Sequence, residues 1–196
     1  MQVLFNSEQK PGDYIKSGSG SYPGAPGRCP HKNCKTPKKL KKHGYYQRYL
    51  MTPTFCGKIR IRRYICSVCG RTVSMLPSFC ISKFQFGTEV VVNILWESYN
   101  GESINKVSMK WGKIIETITR RNVAYYRARL RQNRKYIQYV LNQISPEYIE
   151  LNQIPGDSEW TKRMLDEISP IQPHVFNAEF HNIADKSFMS PQNRVA

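Results

Sequence analysis

The sequence is poor in acid. Asp and Glu number 14 in 196 residues against 30 Lys and Arg, for a formal net charge of +16. The shortage is also local: residues 28–71 contain no Asp or Glu, yet thirteen Lys and Arg. Paired-carboxylate acid–base chemistry is excluded from that stretch, and so is a solvated face of mixed sign. Long apolar runs are missing as well, and none approaches the roughly eighteen residues that cross a bilayer. The opening MQVLFNSEQKPGDY has neither the basic nor the apolar segment of a secretory signal. A cytosolic protein is expected, in which thiols stay reduced and closely spaced cysteines bind metal before they form disulfides.

What is present in the acid-free block is a pattern of sulfur. CPHKNC places Cys29 and Cys34 around four residues, and CSVCGR places Cys66 and Cys69 around two, with thirty-one residues between the pairs. Between them KIRIRRYI alternates Lys58, Arg60 and Arg62 against Ile59 and Ile61, the period of a half-buried strand. With Pro53 and Gly57 in the connection, a β-hairpin is expected, isoleucines inward and arginines outward. Two cysteine-bearing turns joined through a hairpin are the layout of a zinc ribbon, and four thiolates close the tetrahedral shell of a structural Zn²⁺ rather than a catalytic one. His31 lies in the same turn as Cys34 and is an alternative to it as ligand, while Cys56 and Cys80 lack partners at ligand spacing and read as small packing residues. So charged a segment of about fifty residues buries too little to hold itself, which makes metal the main source of its stability.

The charge block points to a polyanion partner, and to nucleic acid rather than a membrane surface, which would call for an amphipathic apolar face. Candidate contacts in the ribbon are Lys38, Lys39, Lys41, Lys42 and Arg48, then Arg60, Arg62 and Arg63 on the hairpin. Residues 87–144 are helical in character. A first helix from Thr88 stops at Asn100-Gly101, a short second one ends at Gly112, and a third runs from Lys113 until Pro146. That order is a helix-turn-helix, whose third helix would enter the major groove of double-stranded DNA by its start, through Lys113, Glu116, Thr117 and Arg120. Arg121, Arg127, Arg131 and Arg134 would meet phosphates further along. At 100° per residue, Arg120, Arg127, Arg131 and Arg134 share an arc of about 60°, next to a packing stripe of Tyr126, Leu130, Ile137 and Leu141. Trp96 and Trp111 are assigned to the core.

The expected fold is therefore α+β: a small zinc-ribbon hairpin module over 28–83, then an all-α helix-turn-helix module over 84–144 with a long third helix. A Gly/Ser/Pro-rich flexible arm precedes them over 1–27, in which Val3–Phe5 could dock as a strand. An irregular, acidic tail with five prolines follows over 145–196.

CPHKNC, HGYYQR and RRYICSVCGRTVSMLPSF together resemble the transposase-like zinc-binding proteins of bacterial insertion sequences, and GESINKVSMKWGKIIETI is similar to the helix-turn-helix that follows their ribbon. The resemblance covers about residues 28–130. It implies Zn²⁺ at Cys29, Cys34, Cys66 and Cys69, DNA at the start of the third helix, and recognition of element ends or an adjacent operator. Transposases of this kind carry a ribonuclease-H-like domain with three metal-binding carboxylates, and the fifty or so residues after Pro146 are too few for it. The expectation is a non-enzymatic accessory subunit or repressor in the bacterial cytoplasm, associated with the nucleoid, with a homodimer matching paired element ends. The alternatives are a transposase or nuclease completed by a partner chain, and an adaptor binding nucleic acid, RNA included, whose tail recruits another protein.

Overall fold

The computed structural model describes residues 1–37, 39–144 and 157–191, so Lys38 lies outside the described residues. The fold is α+β. Four strands form one mixed sheet: β1 (Gln2–Phe5), β2 (Leu40–Thr52), β3 (Phe55–Cys66) and β4 (Thr72–Pro77), in the order β1-β4-β3-β2. The alternation of KIRIRRYI works as its period requires. Ile59 and Ile61 are fully buried, and Lys58 and Arg60 stand on the other face. Pro53 and Thr54 alone connect the hairpin; Gly57 lies inside β3, where a Cβ would come within 3.1 Å of the Phe55 ring. The ladder breaks between Lys42 and Tyr45, at a bulge where Gly44 takes φ +74.

Residues 1–27 are not a featureless arm. β1 pairs parallel with β4, Val3 opposite Met75, and α1 (Pro11–Lys16) buries Tyr14 in a cluster that holds Leu4, Ile59, Ile61 and Leu76. The Tyr14 hydroxyl donates to the Arg60 carbonyl at 3.0 Å. Apolar burial and the β1–β4 ladder outweigh the chain entropy that the Gly/Ser/Pro stretch retains.

Three helices follow the sheet: α2 (Thr88–Tyr99), α3 (Ile104–Ile114) and α4 (Arg120–Ile144). The third helix begins at Arg120 rather than Lys113. Gly112 does not end α3; it sits inside it, where a Cβ would stand 3.2 Å from the Ile118 carbonyl oxygen, so glycine lets the connection fold back against the helix. Thr119 then opens α4, its N–H and hydroxyl both donating to Asn122 Oδ1 at 2.8 Å, half of a capping box. The expected stripe of Tyr126, Leu130, Ile137 and Leu141 is buried. Trp111 is buried too, but Trp96 is 42% exposed and donates its indole N–H to Asp166 at 3.0 Å.

The irregular tail expected over 145–196 is corrected for its described part. Asp157–Ile171 forms α5 and Pro173–Ala184 forms α6, and Trp160, Met164, Ile168, Phe176, Phe180 and Phe188 join the largest apolar cluster with α2–α4. Its prolines misled. Pro173 occupies the first turn of α6, where its missing N–H costs nothing, and Pro170 falls in the last turn of α5. Asn177 of α6, fully buried, donates to the carbonyls of Ser78 at 2.8 Å and Cys80 at 3.0 Å, tying the helices to the segment that leaves β4.

Candidate metal centre and its basic surroundings

Four sulfurs converge at one end of the β2–β3 hairpin. Cys29 and Cys34 come from the loop before β2; Cys66 is the last residue of β3 and Cys69 lies in the turn to β4. The register sets Leu40 opposite Cys66, bringing the two loops side by side, and Ser67 N–H donates to the Lys39 carbonyl at 2.9 Å. Within the turns, Cys34 N–H donates to the His31 carbonyl and Gly70 N–H to the Cys66 carbonyl, each at 2.9 Å, with Gly70 at φ +67. A left-handed residue is needed there, and glycine takes it without strain.

All four Sγ atoms lie within 4.8 Å of one another. Cys29 to Cys69 is 3.8 Å and Cys34 to Cys66 is 3.7 Å. A tetrahedron with metal–sulfur bonds of about 2.3 Å has edges of about 3.8 Å, so these two pairs stand at the spacing of its edges. Cys29 and Cys66 are fully buried. Burial pushes the Cys29 thiol up to about 12, whereas the Thr36 hydroxyl and backbone N–H draw Cys34 down to about 6. Backbone N–H groups of Cys69 and Val68 lower Cys66. Donors aimed at sulfur stabilise thiolate, the form that binds metal. His31 stands outside the four-sulfur group. Cys80 is buried, its thiol raised to about 12, as a packing residue would be. Cys56 is exposed near the hairpin tip, so the packing role expected of it is corrected.

The basic residues divide into three settings. Lys39, Lys41 and Lys42 belong to the segment beside the metal centre, with Lys41 and Lys42 exposed. On the hairpin, Arg60 lies 4.9 Å over the Tyr45 ring and Arg62 5.6 Å from that of Tyr64, while Arg63 donates to the Thr72 hydroxyl at 3.3 Å. Arg48 turns inward. Its guanidinium donates to the carbonyls of Ile81 and Phe84, pinning β2 to the chain beyond β4.

Around the helices, Lys113 is exposed in the last turn of α3, and Arg120, Arg121 and Arg131 are exposed on α4. The Thr117 hydroxyl, in the connecting turn, meets the Met51 sulfur at 3.2 Å. Two of the four arginines expected on one open arc are engaged internally. Arg127 stacks 4.4 Å over Tyr99 and donates to the Ser98 carbonyl at 3.3 Å, at the negative end of the α2 dipole; Arg134 stacks 4.8 Å over Trp160. Sequence reasoning missed the rings beside the hairpin cations, Tyr45 and Tyr49, and Lys58 at 5.8 Å from Tyr49. Their period-2 spacing opposite the arginines was the available signal.

Among the described residues the acids after Pro146 form no metal-binding group. Asp166 holds Trp96, Glu167 pairs with Arg163 at 3.7 Å, and Asp185 caps α6 in the left-handed conformation. Among the described residues no helix is long and apolar enough to cross a membrane. Comparison with family models, curated proteins and solved structures finds no match for this chain.

Proposed function

We propose that this chain is a zinc-dependent DNA-binding protein of a bacterial mobile element, acting at element ends or an adjacent operator as accessory subunit or repressor. The observation that carries the proposal is a cluster of four cysteine sulfurs set at the end of a hairpin in a stretch with thirteen cations and no acid. All-thiolate and closed, such a site suits structural Zn²⁺. With the ion in place, Lys39, Lys41 and Lys42 are fixed beside it on an ordered surface, where a duplex backbone would meet them.

In this proposal α3 and α4, with residues 115–119 between them, act as a helix-turn-helix. The positive end of α4 carries Arg120 and Arg121, both exposed, and would present them to the major groove, flanked by Lys113. Arg131 would contact phosphate further along. The same geometry gives Arg127 and Arg134 an internal role.

The test is duplex affinity against salt, measured by fluorescence anisotropy. With about 6–10 phosphate contacts, affinity should fall by about 10³- to 10⁵-fold between about 50 and 200 mM salt. The double variant Arg120→Glu/Arg121→Glu should weaken binding and flatten that slope by about one for each phosphate no longer neutralised. A zinc-loaded double variant that binds duplex as the parent does would contradict the proposal.

A further inference from the structure

We propose that the outward face of the β2–β3 hairpin is a binding platform for single-stranded DNA, separate from the duplex surface on α3 and α4. This rests on the DNA reading above for the choice of DNA over RNA; the platform itself rests on the sheet.

Residues paired across the ladder share a face. Tyr49 pairs with Lys58, Gln47 with Arg60 and Tyr45 with Arg62, and these six alternate strictly with Arg48 opposite Ile59 and Tyr46 opposite Ile61, which face the core. Tyr45 and Tyr49 are 49% and 48% exposed. Each ring has its own cation: Arg60 lies 4.9 Å from the Tyr45 centroid and Lys58 5.8 Å from that of Tyr49. The Tyr22 ring, 6.3 Å from Tyr45, braces it. At about 3.4 Å per residue the two tyrosines are on the order of 13 Å apart along β2.

Rings on one strand facing cations on the other, in an acid-free strand pair, offer two things at once. Cations neutralise a phosphate backbone, and half-exposed tyrosines give bases a surface to stack on. In a duplex the base faces are already stacked on one another and only their edges and the phosphates are accessible, so the rings would do nothing there that the cations do not. An unpaired base is the ligand that uses both. Cross-strand cation–ring pairs also steady an exposed hairpin, and the substitutions below separate the two roles.

The experiment uses the full zinc-loaded chain and a labelled oligothymidylate of about 15 nucleotides, within the span one such surface binds. A duplex and an oligouridylate of equal length are measured alongside. Tyr45→Ala and Tyr49→Ala should each weaken oligothymidylate binding about 5- to 150-fold, the equivalent of about 1–3 kcal/mol per stacked base, and leave duplex binding unchanged. Tyr45→Phe and Tyr49→Phe, which keep the ring, should bind as the parent does. Bound metal and helical content, measured on every variant, check that the fold persists. No binding of oligothymidylate by the parent, or Ala variants that match it, would overturn the platform. Equal losses for duplex and single strand would overturn its separateness, and tighter oligouridylate binding would overturn the choice of DNA. Loss of duplex binding alone in the parent would remove the proposed helix-turn-helix role and leave the platform standing.

Discussion

The two ends of one hairpin are held in different ways. At the Thr52–Phe55 end Leu50, Ile59 and Ile61 are buried in an apolar cluster, Met51 joins the helical core, and Arg48 is tied to the carbonyls of Ile81 and Phe84. At the Leu40–Cys66 end the neighbours are lysines, the nearby apolar cluster contains only Tyr64, Val73 and Met75 as buried members, and four sulfurs converge. The strands themselves share one alternating pattern. What differs is the charge around them: lysines cannot be buried against a core, and where the surface must stay cationic four sulfurs that could hold a metal ion stand in the place that apolar contact takes elsewhere.

The largest expected effect comes from breaking the metal end. Cys66→Ser, or chelation of the intact protein, should release the ion. Structural zinc is worth about 10–16 kcal/mol in isolated fingers, and here the loss should fall on the loops and strand ends around residues 28–42 and 64–71 rather than on the whole fold. Metal content by mass spectrometry under native conditions and local proteolysis read this out. Complete unfolding of Cys66→Ser would show that the two ends are not independent.

Breaking the apolar end is the converse experiment. Ile59→Ala removes a fully buried side chain and should cost about 2–5 kcal/mol in denaturant unfolding while the ion stays bound. Asn177→Ala should cost less, about 1–3 kcal/mol, by taking its donor from the Cys80 carbonyl and leaving the Ser78 carbonyl to the Thr88 hydroxyl alone. Thermal melts of the zinc-loaded variant would detect it.

The smallest effect concerns pH. His181, on α6, has Nε2 at 3.2 Å from the Gln2 carbonyl, and burial holds its pKa below the usual histidine value, against the opposing pull of Asp185. A depressed pKa means that the unfolded chain takes up the proton first. Stability is therefore full above about pH 6.5 and falls as pH drops below it. Comparing the parent with His181→Gln across that range isolates this group from the cysteines. Parallel melting curves for the two proteins would remove His181 from the account.

Much of the hairpin and the metal centre was legible because both are local. Alternation in KIRIRRYI, and the close spacing within each cysteine pair, one before the hairpin and one at its end, are patterns of a few residues. The helices α2–α4 were legible by period, though the start of α4 was not. Lys113 and Gly112 look like a new helix beginning, whereas Gly112 lies inside α3 and serves the close approach of the Ile118 carbonyl. The parallel pairing of Val3 with Met75 joins segments 72 residues apart, and a four-residue strand carries no signal of its partner. α5 and α6 were hidden by prolines: Pro173 falls in the first turn of α6, where a helix tolerates it, and Pro170 falls inside the last turn of α5. The destinations of Arg48, Arg127 and Arg134 were hidden for a different reason: a sequence shows that a cation is present, but not which ring or carbonyl it meets.

Hydrogen exchange on the zinc-loaded and the chelated protein tests the division of the hairpin most directly. Chelation should abolish the protection of the amides of Cys66, Ser67 and Gly70 while those of Leu50, Ile59 and Ile61 keep theirs. Unchanged protection at Cys66 and Gly70, or its loss along the whole of β2 and β3, would contradict the account.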